Sequence, residues 1–156
     1  MDFLLSNSDL LTLLQNAEKE LLHNEKIKFE RTNEWRKVIP SFSGVYALYE
    51  KNEETFSLLY IGETGNLRDR MSDICRTFNH TFRRTLGHKI FNAIKTKSKF
   101  DSETEKLLDN FFDEKLYLTF LKVNFGRTEI ESYLITKYQT ELLNSVSKRK
   151  LKLVFD

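Results

Sequence analysis

Cysteine, proline and glycine are all scarce in this chain. Of 156 residues, one is cysteine, one is proline and five are glycine. A lone Cys75 excludes an intrachain disulfide and any cysteine-cluster zinc site. The run of about eighteen apolar residues that a membrane-spanning helix needs is missing as well. The opening MDFLLSNSDLL has neither a basic stretch nor a small-residue cleavage site, so no secretory signal is read there. A reducing cytoplasm is the simplest location. An overall charge of one sign is also lacking, since the formal net charge is only +2. What remains is 40% hydrophobic and 31% charged, the composition of one soluble domain long enough to bury a core.

The charges are nonetheless segregated. Residues 68–99 carry nine lysines and arginines, among them Arg68, Arg70, Arg83 and Arg84, against Asp69 and Asp73 alone. Residues 100–115 reverse this, with six acidic side chains against two lysines. A basic middle suits a polyanion such as nucleic acid, although charge runs more often form solvated faces.

Periodicity divides the chain into elements. A leucine stripe predicts a helix from Ser8 to about Leu22, with Ser6 or Ser8 as cap. Residues 23–41 are polar and end near Pro40, a connection with a short helix around Trp35. Two β-type runs, 44–50 and 56–62, flank the polar KNEET. A helix is expected over 66–78, with Leu67, Met71, Ile74, Cys75 and Phe78 on one face, and another over 81–95, with Phe82, Leu86, Ile90 and Ile94 inside. A third is expected over 102–114, then a strand over 115–123 and a helix over 128–142. The tail 145–156 is basic and ends in an alternating run able to add a strand.

The glycines are placed unusually. GVY (44–46) and YIG (60–62) each set a glycine near a tyrosine in neighbouring strands. A hairpin centred on Glu53 would put Tyr46 opposite Tyr60 and Gly44 opposite Gly62. The phenols would then share a face, with a glycine line beside them that a ligand backbone can approach. A cross-strand aromatic pair in a core would produce the same pattern. Just beyond Gly62, Asn66 can cap a helix with Asp69 completing the cap, which puts Arg70 in the first turn. A helix start with an arginine fork suits a phosphate. In RTEIESYLITKY (127–138), Glu131 falls among the apolar positions, where a carboxylate is costly unless it is paired or binds a metal. Thr128 and Glu131 also fit a capping box, which would make Glu131 purely structural.

Together these residues resemble the GIY-YIG nucleases. GVY matches the first motif with valine for isoleucine, and YIG matches the second. Arg70, ten residues after Tyr60, sits where the family keeps a helical arginine, and Glu131 in ExxLI resembles its metal-binding glutamate. Asn144 resembles the asparagine that closes the module, though a helix C-cap is an equal reading. The resemblance covers about 44–144. It implies an α+β fold, a three-stranded antiparallel sheet flanked by helices, with 1–43 as a helical extension packing on the core and 145–156 as a tail. It implies hydrolysis of DNA phosphodiesters, in double-stranded or branched DNA, with one Mg²⁺ or Mn²⁺ ion held by Glu131. Tyr46 and Tyr60 would serve as base and water-positioning groups and Arg70 would stabilise the phosphorane, with Gly44, Gly62, Arg68, Arg83 and Arg84 against the substrate. Two departures stand out: Ile74 replaces a histidine or tyrosine that the family often carries, and Glu63 stands where some members carry lysine. His80 is the best substitute for the former. If neither departure is compensated, the alternative is a nucleic-acid-binding module with the same fold and weak catalysis. The N-terminal segment, with six basic and seven acidic side chains, reads as a packing or homodimerisation element and not as a DNA arm.

Overall fold

A computed structural model of the chain describes residues 1–2, 4–94 and 98–144. Helix α1 (Asn7–His23) begins where the Ser6 hydroxyl accepts the Asp9 amide, and it buries Leu14 and Leu21. A two-residue strand β1 (Ile27–Lys28) and a short helix α2 (Asn33–Val38) follow. The hairpin is β2 (Gly44–Asn52) and β3 (Thr55–Thr64). Then come α3 (Leu67–Ile74), α4 (Thr81–Ile90), α5 (Ser102–Glu114), β4 (Leu116–Lys122) and α6 (Arg127–Tyr138). The sheet has four strands, not three, in the order β1-β4-β2-β3, and every pairing is antiparallel. The extra strand comes from the polar connection after α1, where Phe29 is buried and its amide bonds to the Leu116 carbonyl.

Central strand β2 is buried on both faces, which is why its sequence reads as a continuous apolar run. Tyr46 and Leu48 face one core with Leu67, Met71 and Ile74 of α3, Phe82 and Leu86 of α4, and Leu108 and Phe112 of α5. Val45, Ala47, Tyr49 and Ile61 face the other, with Leu21 of α1 and Leu134 and Ile135 of α6. Glu18 of α1 clamps the second layer: it accepts hydrogen bonds from Tyr133, Lys137 and Tyr138 of α6. Burial opposes ionisation of that carboxyl, but the Lys137 and Tyr138 bonds hold it below the usual carboxylate range.

Three expectations need correction. Helix α3 stops at Ile74, so Phe78 is exposed rather than on a buried face. Helix α4 stops at Ile90, leaving Ile90 and Ile94 exposed; Asn92 turns the chain with φ of 55°. Residues 91–94 are described and are not helical; residue 95, the last of the expected helix, and the tail 145–156 lie outside the described residues. The third correction concerns register. The hairpin turns through Glu53 and Glu54, with Asn52 opposite Thr55, and a β-bulge follows at Leu59. Tyr46 therefore lies opposite Gly62, and Gly44 opposite Thr64. A bulge inserts one residue, and no side-chain pattern at that point announces it.

This register changes what the glycines are for. A Cβ at Gly62 would collide with the Tyr46 ring and hydroxyl, and one at Gly44 with the Leu121 carbonyl and Leu67. The space beside each glycine is filled by the protein itself, so neither leaves a track for a ligand. Accordingly, Gly62→Ala should cost roughly 1–3 kcal/mol through overpacking and lower the melting temperature by several degrees. Gly65→Ala, where nothing lies within 4 Å, should melt like the wild type. Equal melting curves for all three proteins would show that the Tyr46 ring can move aside.

Candidate active site

The site is built around Tyr46. Its side chain is almost fully buried, pinned across Gly62, and stacked near Tyr60 with ring centroids 6.3 Å apart and planes 25° from parallel. Its hydroxyl lies 3.0 Å from Nε2 of His80. His80 is the N-cap of α4, and its Nδ1 accepts the Phe82 amide at 3.0 Å. That second bond decides the tautomer. With Nδ1 occupied as an acceptor, the neutral ring carries its proton on Nε2 and donates it to the Tyr46 oxygen. His80 also packs edge-on to Tyr60, 5.6 Å between centroids. Ile74 is wholly buried in the core, and the histidine that meets Tyr46 comes from the start of the next helix.

Electrostatics gather two charged groups around this aromatic trio. Burial pushes the Tyr46 hydroxyl well above the ordinary phenol value; Tyr60 adds to the rise, Arg70 opposes it, and Glu131 and Glu63 raise it further. Burial and then Glu131 push Tyr60 up to about 12, again against Arg70. Burial, then Arg70 and Arg84, bring His80 down to about 3. Arg70 and Glu131, from α3 and α6, thus both act on the two phenols. Arg70 Nε is buried and makes no hydrogen bond among the described residues. In the free protein neither phenol is ionised near neutrality, and the imidazole is neutral.

The capping alternative for Glu131 fails. Helix α6 starts at Arg127 directly after its N-cap Gly126, so Thr128 already lies inside the helix. No group of three or more His, Cys, Asp or Glu side chains suited to a metal occurs among the described residues. A single glutamate beside phenolic oxygens still fits a hard divalent cation, because Mg²⁺ keeps several waters and is held by one or two carboxylates plus phosphate oxygens.

Other candidates are placed elsewhere. Arg68 donates to the carbonyls of Ile39 and Lys37 at 2.9 and 3.1 Å and ties α3 to the end of α2. Arg83 is only 3% exposed, paired with Glu105 and Asp109 and lying over the Phe112 ring. Both arginines are engaged within the fold. Arg84 remains half-buried and within electrostatic reach of His80. Asn144 is not a cap of α6, which ends at Tyr138. Its side-chain amide brackets Ile61: Oδ1 accepts the Ile61 amide at 3.0 Å and Nδ2 donates to the Ile61 carbonyl at 2.8 Å. Asn144 so closes the free edge of β3 between Tyr60 and Gly62. Glu63 is held by Arg127. That pairing escaped the sequence reading, although Arg127 stands four residues before Glu131, one helical turn.

The burial of His80 has a consequence for stability. Its folded pKa of about 3 lies below the unfolded 6.5, so between those values the unfolded chain binds more protons. The contribution is complete above pH 6.5 and is lost as pH falls toward 3. His80→Ser keeps a capping hydroxyl and removes the titration. Between pH 7 and pH 5, wild-type stability should fall faster than that of His80→Ser, by up to about 1.4 kcal/mol per pH unit below the unfolded value. Urea unfolding at the two pH values measures this, and parallel losses would mean that His80 titrates like a free histidine.

Comparison with known proteins gives one match. A family model described as the GIY-YIG catalytic domain matches residues 27–152, from β1 through α6 and beyond. No curated protein and no solved structure matches the chain. The family match covers most of the sequence and takes in both tyrosines, the helical arginine and the glutamate at the spacings described; this chain belongs to the GIY-YIG catalytic-domain family.

Proposed function

We propose that the protein is a divalent-metal-dependent endonuclease that hydrolyses DNA phosphodiester bonds. The observation that most supports this reading is Arg70. A buried guanidinium nitrogen with no hydrogen-bond partner among the described residues, amid two phenols, a neutral imidazole and a carboxylate, suits a ligand that brings its own negative oxygens. A phosphodiester passing through a phosphorane is such a ligand, and the fork of Arg70 would meet its developing charge. Glu131 would hold Mg²⁺ or Mn²⁺, which would polarise the phosphate and, by reversing the sign of Glu131 at the phenols, favour their ionisation.

Tyr46 and Tyr60 divide the tasks of accepting a proton from water and positioning it. The His80 Nε2–H favours Tyr46 as the acceptor, because a donor on its oxygen stabilises the phenolate. Buried as it is, Tyr46 needs the Arg70 charge and a counter-charge on Glu131 to do so near neutral pH. Arg84 would contact the flanking backbone, and Asn144 would keep β3 straight beneath Tyr60.

Supercoiled plasmid should be nicked with Mg²⁺ and left intact with EDTA. Glu131→Gln should lower the rate by roughly a thousandfold, since metal charge stabilisation is worth several kcal/mol. Arg70→Lys should retain DNA binding and lose turnover, because an ammonium cannot reproduce the planar fork. Tyr46→Phe and Tyr60→Phe should each reduce cleavage, with losses that do not multiply in the double variant, as groups serving one water act as a unit. Full activity in Glu131→Gln would sink the metal assignment. Tight DNA binding with no cleavage under any divalent cation would leave a binding module of the same fold.

A further inference from the structure

Four phenylalanines are exposed among the described residues: Phe42, Phe56, Phe78 and Phe125. They differ in what surrounds them. Phe56, near the hairpin turn, packs on Tyr49 and Tyr117 and is covered by Lys26 and Lys51. Phe42 has Lys122 above its ring, 5.9 Å from the centroid. Phe78 and Phe125 are 68% and 88% exposed and have no ring or cation partner among the described residues.

Neither ring sits on a loose loop. Phe125 is at the tip between β4 and α6. On one side Val123 is buried and clamped to Ser43, its amide on the Ser43 carbonyl at 2.9 Å and its own carbonyl accepting the Ser43 hydroxyl. On the other side Gly126 takes its left-handed conformation and α6 begins. Phe78 lies between Thr77 and His80, both buried. The Thr77 hydroxyl bonds to Glu105 and receives Arg83 Nε, and the Asn79 amide bonds to the Arg76 carbonyl. Each ring is therefore presented to solvent by an anchored connection.

Both connections lead into the candidate site. Two residues after Phe78 comes His80, on the Tyr46 hydroxyl; six after Phe125 comes Glu131. Phe120 pairs with Tyr46 and Lys122 with Gly44, so β4 runs out past Tyr46 toward Phe125 at the same end of the sheet. Cations stand close to them in the chain: Arg76, two residues before Phe78, and Lys122, three before Phe125, are exposed, and Arg70 and Arg84 are half-buried. Aromatic faces alternating with positive charge hold single-stranded nucleic acid, because every base offers a face to stack on.

Resting on the nuclease reading above, we propose that Phe78 and Phe125 are stacking platforms for bases outside a duplex. The substrate of the site is then DNA with an unpaired strand beside the scissile phosphate, a flap or a junction, in preference to continuous duplex. A stacking surface has nothing to hold when all bases are paired, so the rings contribute to one substrate and not to the other.

Fluorescence anisotropy without divalent metal tests this on three labelled DNAs of shared sequence: a continuous duplex, a duplex with an unpaired arm, and the arm alone. Phe78→Ala and Phe125→Ala should each weaken binding of the two unpaired DNAs about tenfold and leave duplex affinity and melting temperature unchanged. Phe125→Trp should restore affinity, and its emission should be quenched by the flap but not by the duplex. Parallel losses on flap and duplex, or no loss on either, overturn the proposal. A wild type that binds and nicks DNA while both alanine variants match it sinks this inference alone. A wild type that binds none of the three DNAs sinks the nuclease reading as well.

Discussion

The contact of the Tyr46 ring with Gly62 is the constraint on which the site depends. A phenol packed flat across a neighbouring strand needs a position without a side chain, and Gly62 is the residue the register brings there. Once the ring lies across the strand, its oxygen has one direction to point, and the His80 Nε2–H meets it. His80 is fixed in turn by capping α4. Sheet, phenol and helix start are thus joined by one side chain, with Tyr60 stacked alongside.

This arrangement is orderly at the expense of ionisation. The burial that positions the phenols also raises both, and the nearby Glu131 raises them further. Arg70 is the resident counterweight. On the proposed reading, a cation at the carboxylate and an anion at the guanidinium would together relieve this imbalance. The basic middle of the sequence is less uniform than its composition implies. Arg68 and Arg83 hold the fold together, whereas Arg70, Arg84 and Arg76 face the site or solvent. The acidic run of α5 exists largely to answer Arg31 and Arg83. Part of the charge segregation along the chain is therefore ion-paired helix packing, through Arg83.

Much was legible from the residues in order. Stripes of leucine and alternating apolar runs marked the helices and the three longer strands, because period 3.6 and period 2 are imposed by backbone geometry wherever one face is buried. The caps at Ser6 and Asn66 were visible as side chains able to accept an amide two or three residues on. The tyrosines, Arg70 and Glu131 stood out because glycine beside tyrosine in adjacent strands, and a carboxylate on an apolar helix face, each call for an explanation. The limits of α3 and α4 were not legible, since Phe78, Ile90 and Ile94 continue the apolar spacing without being covered by anything.

The sequence by itself determined the elements, their amphipathic faces and the side chains proposed for phosphodiester chemistry, because those properties belong to residues and their near neighbours. Tertiary structure alone decided the register: a turn through Glu53 and Glu54 shifted the pairing by one residue and a bulge at Leu59 by a second, which replaced the expected tyrosine-to-tyrosine pairing with Tyr46 over Gly62. It decided which arginines are available, because ion pairs such as Arg83 with Glu105 form between segments far apart in the chain. It also decided the role of His80: a histidine's tautomer depends on what each ring nitrogen meets, and here one nitrogen meets a helix amide while the other meets a phenol from the centre of the sheet.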